Sequence, residues 1–204
     1  MEYGLGLILS IAVLVFSLPF FIRKLWQKRM KEKEYRWILF VIFGFYMLGY
    51  LYYTMLSREV MPSAKIQLVL LRDYRTAFAF DSGFLGTLRE VFSEGLASGI
   101  SGVHFVSTEP LKGVIRNILL YIPIGYLIPV LWPAFARGKM IWKVLLLGGA
   151  ASILTELIQL TLRLGWFDVD DLLNNMLGTL TGIWLYKKFL MSALMYANDG
   201  KESG

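Results

Sequence analysis

Long apolar runs alternate with short basic stretches along this chain, and that alternation predicts most of its elements. Residues 3–21 form the first run. As a helix rising 1.5 Å per residue they reach ~29 Å, enough to cross a hydrocarbon core of ~30 Å. Further runs at residues 37–55, 114–135, 144–162 and 172–190 predict four more spans. The second is rich in aromatics, including Phe40, Phe43, Tyr46, Tyr50 and Tyr53. In the third, Pro123 removes a helical hydrogen bond, so a kink and an unpaired Leu119 carbonyl are expected. Gly125 in the same run would admit a close neighbour. Gly148, Gly149, Ala150, Ala151 and Ser152 make the first half of the fourth run small enough for close packing. Gly178 and Gly182, spaced G-x-x-x-G, are expected to pack within the bundle.

Residues 57–112 are too polar to span. Their charges are mixed and spread out, as in a segment outside the membrane. Within it Phe84, Leu85, Leu88, Val91, Phe92, Leu96 and Ile100 fall near i, i+3, i+4 spacing, opposite Arg89, Glu90, Ser93 and Glu94. This predicts an amphipathic helix that lies on the outer interface or caps the bundle. Residues 66–71 read as a re-entrant piece or a buried plug. His104, the single histidine, reads as a solvated or packed loop residue.

Charge placement then sets the topology. Seven Lys or Arg residues lie in 23–36, and Arg137, Lys139 and Lys143 follow the third run. The short loop after the fourth holds only Arg163. Positive residues mark the inside, so the N-terminus is expected outside and the C-terminus inside. The chain opens Met1-Glu2-Tyr3 without a basic residue, unlike a secretory signal, so the first run is expected to stay as an uncleaved helix. Composition agrees: of 204 residues, 56% are hydrophobic and 18% charged, against about 25% charged in a soluble domain. The fold class is thus an all-α, polytopic transmembrane bundle of five spans with an amphipathic or re-entrant outer segment between spans two and three. Residues 1–36 form the first helix and basic loop, 37–190 the bundle, and 191–204 a polar cytoplasmic tail. With no cysteine, disulfides, thiol nucleophiles and cysteine metal sites are excluded. The basic residues flank apolar runs, which argues against nucleic acid as a partner.

One stretch breaks the apolar pattern. Residues 155–182 carry Glu156, Gln159, Arg163, Asp168, Asp170, Asp171, Asn174 and Asn175. Polar groups at membrane depth are costly and mark either a partner or a function. Glu156, Gln159 and Arg163 fall on one helical face, and Asp170–Asn174 and Asp171–Asn175 are i, i+4 pairs. Arg116 and Asn117 enter at the same depth from the third span. Glu156 is expected to pair with Arg116 or Arg163. The alternative role is structural: Asp170 or Asp171 caps the last helix, and Gln159, Asn174 and Asn175 bond between helices.

The blocks 116–125 (RNILLYIPIG), 156–159 (ELIQ) and 167–178 (FDVDDLLNNMLG) resemble the VanZ-like family of membrane proteins. The resemblance covers residues 111–186. The basic residue often found just before the aspartate block is absent here, and Arg163 is the nearest. The resemblance implies a bacterial plasma-membrane protein, with a family member associated with low-level resistance to teicoplanin, a lipid-tailed glycopeptide.

Three functions are compatible with these residues. A non-enzymatic protein would bind a lipid head group, a polyprenyl-linked cell-wall intermediate or the lipoglycopeptide through the ten residues Arg116, Asn117, Glu156, Gln159, Arg163, Asp168, Asp170, Asp171, Asn174 and Asn175, with the amphipathic segment as cover. It needs no cofactor. An enzyme on a lipid-linked phosphate would hold a divalent metal at Asp168, Asp170 and Asp171. A flippase would use the kinked third span, with a dimer restoring the symmetry that five spans lack. The first is the reading preferred.

Overall fold

A computed structural model of the chain describes residues 32–96 and 101–191. The expected first span, most of the basic loop, the end of the amphipathic segment and the tail lie outside the described residues. The rest is mainly helical. Helix α1 (Glu32–Leu51) widens into a π turn (Tyr52–Leu56). Then follow β1 (Ile66–Gln67), α2 (Arg72–Ala77), β2 (Phe78–Phe80), α3 (Gly83–Glu94) and β3 (Val103–Phe105). The chain continues through α4 (Glu109–Leu131), α5 (Pro133–Ala136), α6 (Met140–Thr161), β4 (Phe167–Asp168) and α7 (Val169–Leu185), with a second π turn at Tyr186–Met191. The fold is mostly helical, as expected, with two small sheets that the sequence reading did not foresee. β1 pairs in parallel with β4, and β2 pairs antiparallel with β3.

Among the described residues, three helices are long and apolar enough to cross a membrane: Arg36–Leu56, Glu109–Leu131 and Met140–Thr161. Helix α7, where a fifth span was expected, has 17 residues and a polar first turn. The third span also shifts. It begins at Glu109 with Pro110 in its first turn, where no N–H partner is needed, and stops before Pro133. Trp132 turns extended there, as a residue before proline favours. The helix runs on through Pro123 and Pro129. Tyr46 of α1 donates its hydroxyl to the Leu120 carbonyl at 2.7 Å, one residue from the carbonyl that Pro123 deprives of its donor.

Helix α4 is the central strut: 72% of its apolar window is buried, against 22% for α1 and 28% for α6. Its closest neighbour is α7. A Cβ added to Gly125 would collide with the Thr179 backbone, one at Gly178 with the Ile118 carbonyl, and one at Gly182 with the Ile122 carbonyl. These three glycines let two backbones touch, as expected from their spacing. Gly148 of α6 likewise receives the Thr179 side chain, whereas Gly149 meets nothing. The apolar core of Leu39, Tyr46, Ile124, Leu127, Leu131, Val144 and Ile183 fills the space between the helices.

Among the described residues the amphipathic helix forms as α3, which Gly95 ends at φ 98°. It does not cap the bundle. It packs on the β2–β3 sheet, with Phe84 against Phe80, and leaves Leu85, Leu88 and Phe92 exposed. Nor is the 66–71 run a buried plug: Ile66, Leu68, Val69 and Leu70 are all exposed. Its backbone forms a strap across one end of the bundle. Lys65 accepts from the Phe167 N–H at 3.0 Å, and Arg163 accepts from the Met61 N–H at 2.7 Å. His104 pairs in the open with Asp81 at 3.3 Å.

Candidate functional site

The end of α1, the starts of α4 and α7, the end of α6 and the strap meet at one place. The β-turn-like corner before α7 is built by its own sequence. Asp168 is extended at φ −121° and accepts the Asp170 N–H at 2.9 Å, so the helix is capped by Asp168 rather than by Asp170 or Asp171.

That frees Asp170 for another task. It is fully buried, and its two oxygens accept the N–H groups of Leu71 at 2.6 Å and Asp73 at 3.0 Å. Leu71 sits at φ 57° and starts α2, so Asp170 is the acceptor for the orphan donors of that helix. One turn on, Asn174 accepts the Tyr74 hydroxyl at 2.7 Å. The Asp170–Asn174 face thus binds the strap. The Asp171–Asn175 pair divides: Asp171 accepts from the Asn117 side chain of α4, and Asn175 donates to Ser152 of α6 at 2.8 Å.

Glu156 is buried and accepts the Asp168 N–H at 3.2 Å through Oε2. The expected ion pairs with Arg116 and Arg163 are absent: among the described residues neither arginine lies within 4 Å of a carboxylate. Arg163 lies beyond the end of α6, in a left-handed conformation at φ 56°, so the face it would share with Glu156 and Gln159 no longer exists. It is exposed, and its N–H donates to the Leu160 carbonyl at 3.2 Å as the helix ends, while its carbonyl accepts from Met61. Gln159 is buried and donates to the Thr54 carbonyl at 2.9 Å, where α1 runs out of donors.

Arg58 supplies the charge that Glu156 lacks. It lies within electrostatic reach of both Glu156 and Asp171 and donates to the Leu164 carbonyl at 3.4 Å. Gly165 makes room for it, because a Cβ there would come within 2.8 Å of Arg58 Nη1. Arg116 donates to the Lys112 carbonyl at 3.2 Å and acts on Asp171 from the other side. Arg72 lies 5.7 Å from the Trp166 ring and acts on Asp168 and Asp73. Lys65 covers the same ring at 4.9 Å. Burial, followed by the nearby negative charges, holds the Asp73 carboxyl above its ordinary value; burial does the same for Asp168, against the hydrogen bond from Asp170.

Arg58, Asp73 and Tyr74 were missed in the sequence because they sit in a segment without periodicity. A lone Arg just past an aromatic span was the available signal for Arg58. Deeper in, the hydroxyls of Tyr50 and Tyr121 lie 2.7 Å apart, and Tyr50 also meets Thr155 Oγ1 at 2.6 Å. This ties α1, α4 and α6 together beneath the carboxylates. Among the described residues, two enclosed side-chain polar atoms stay unpaired, Asn174 Nδ2 and Asn175 Oδ1.

The divalent metal that the enzyme alternative would hold at Asp168, Asp170 and Asp171 finds no support in this geometry. Both Asp170 oxygens are committed to backbone N–H groups, and among the described residues no three acidic or histidine groups form a metal-holding set. What remains is a mixed-charge cluster in which, among the described residues, no arginine lies within 4 Å of a carboxylate.

The sequence profile of the VanZ/LLP1 family matches residues 5–192. The match takes in the first apolar run as well as the three blocks at residues 116–178. No curated protein and no solved structure matches the chain.

Proposed function

The chain belongs to the VanZ/LLP1 family, and from that premise we propose that it is a multi-pass protein of a bacterial plasma membrane that binds a lipid head group or a lipoglycopeptide such as teicoplanin. Binding lowers sensitivity to the drug without a chemical step. The proposed site is the cluster of Glu156, Asp168, Asp171, Asn117, Arg58 and Arg116, facing the outer leaflet. The observation that carries this reading is that Glu156, Asp168 and Asp171 each engage one oxygen in an internal hydrogen bond and leave the other unpaired. Glu156 carries the most weight, being buried yet engaging one oxygen, where a carboxylate serving only as glue would engage both, as Asp170 does. In this reading the cover is the strap, held to α7 by Asp170 and Asn174, rather than the amphipathic helix.

The test is mass analysis of lipid carried by the purified protein, together with teicoplanin sensitivity in cells expressing it. The wild-type chain should carry a defined lipid and lower sensitivity, and Glu156→Gln should lose both. Full retention of lipid and resistance in that variant would falsify the assignment.

A further inference from the structure

The strap carries an apolar run that lies open. Ile66, Leu68, Val69 and Leu70 are each more than half exposed. Large apolar side chains standing together in the open mark an interaction surface. Looseness does not expose them, because the strap is pinned on both sides of the run. On one side Lys65 accepts the Phe167 N–H, and Ile66–Gln67 pairs in parallel with Phe167–Asp168. On the other, Asp170 accepts the N–H groups of Leu71 and Asp73.

Helix α6 sets the depth of the run. Its 22 residues rise about 33 Å, so a helix crossing a hydrocarbon core of ~30 Å ends near its edge. The strap is bonded to the residues just past that end, through Met61 to Arg163 and through Lys65 to Phe167. The run therefore stands near the boundary between acyl chains and head groups. Apolar exposure also leads up to it from the spans. Leu56 and Val60 are exposed after α1, as are Leu157 and Leu162 at the end of α6.

The groups beside the run match that boundary. Trp166 is exposed, with Lys65 Nζ 4.9 Å and the Arg72 guanidinium 5.7 Å from its ring. Tryptophan concentrates at membrane–water interfaces, because its ring is apolar and its N–H polar. Lysine and arginine lay their stems along apolar surface there and keep their charge at the head groups. Both cations are exposed, and among the described residues neither lies within 4 Å of a carboxylate. Arg72 acts on Asp168 and Asp73 only through space. An apolar protein face would cover the run and leave these cations without anions. A phospholipid supplies acyl chains to the one and phosphate to the other.

We propose that Leu68, Val69 and Leu70 insert into the lipid leaflet at this end of the bundle, with Trp166 at the head-group boundary and Lys65 and Arg72 on phospholipid phosphates. The strap is then held from two sides, by α7 through Asp170 and by the bilayer through its apolar run. The insertion is independent of what the polar cluster binds.

The chain has no cysteine, so a single introduced one reports its own position. Full-length Val69→Cys and Leu70→Cys, each carrying an environment-sensitive fluorophore, are reconstituted in vesicles of phosphatidylcholine with increasing phosphatidylglycerol. Quenchers are doxyl groups on the acyl chains or iodide in the water. Leu146→Cys, exposed on α6, calibrates the lipid, and the fluorophore on free cysteine calibrates the water. Both strap labels should lose emission to doxyl and escape iodide, as the Leu146 label does. Doxyl quenching should grow with phosphatidylglycerol, and Lys65→Gln with Arg72→Gln should remove that growth. Quenching by iodide and not by doxyl places the run in water and overturns the insertion. Shielding from both quenchers assigns the run to a protein surface and overturns it as well. Doxyl quenching indifferent to phosphatidylglycerol and to the two substitutions overturns the phosphate contacts.

Discussion

Helix α7 makes two seams of opposite kinds. Along α4 it packs backbone against backbone at Gly125, Gly178 and Gly182, with no room for a Cβ. Along the strap it packs through two side chains, Asp170 and Asn174, reaching the α2 backbone and Tyr74. The first seam depends on absent atoms and on dispersion, and lies within an apolar surround. The second depends on charge-assisted hydrogen bonds at the bundle's end, beside exposed Leu68, Val69 and Leu70. One positions Asn117 against Asp171, and the other lowers the roof over them. The first seam can only part as a whole, whereas the second can open locally, since mobile segments are drawn from the less stable parts of a fold.

The largest effect should come from the glycine seam. Gly182→Val places branched carbon where the Ile122 carbonyl and Tyr126 N–H now lie. The seam can only part, and overpacking of a tight core costs about 1–3 kcal/mol or more. The expected outcome is loss of monodisperse protein on size-exclusion chromatography and a large fall in Tm. A folded variant of unchanged Tm would contradict the backbone contact.

A smaller and more local effect is expected at the roof. Asp170→Ala removes the acceptor of two backbone donors, and hydrogen bonds to charged groups are worth about 1.5–3 kcal/mol each. Tryptic cleavage at Lys65, Arg72 and Arg75 should accelerate by roughly a hundredfold, at ~1.4 kcal/mol per tenfold, while the glycine seam holds. Asp170→Asn, which keeps an acceptor, should fall between. Equal cleavage rates in all three proteins would mean that Asp170 does not hold the strap.

The smallest effect sharpens the electrostatics. Burial raises Asp73 and Asp168 above their unfolded values, so the folded state holds these protons more tightly. Stability at the roof should therefore rise as pH falls from neutral through the raised values, and level off below the ordinary carboxylate value of about 3.9. Tryptic cleavage of the strap, corrected for protease activity, should slow as the pH is lowered from neutral toward the ordinary carboxylate value. Asp168→Asn should flatten part of that slope. A strap that loosens on mild acidification would show the opposite linkage.

How much of this was legible follows from the kind of signal each residue leaves. Apolar periodicity and proline placement foretold α1, α4 and α6, because a helix in lipid must satisfy its own backbone and so declares its length in the sequence. Gly178 and Gly182 were readable because their spacing repeats on one face. Gln159, Asp170, Asn174 and Asn175 were recognised as polar at depth, but their partners were not. Those partners, Thr54, Leu71, Asp73, Tyr74 and Ser152, sit up to 105 positions away. Arg163 was misplaced because helical spacing was extended past the point where α6 ends.

The sequence alone determined the apolar helices, the family blocks and the concentration of polar groups between residues 155 and 182, since each is encoded in spacing along the chain. Only the tertiary structure decided which carboxylates remain available. Asp170 and Asp171 are neighbours of one chemistry, yet a helix turns about 100° between them. One meets the strap and is saturated, while the other meets Asn117 and keeps an oxygen free. That choice is made by what packs on each face, which no local pattern records.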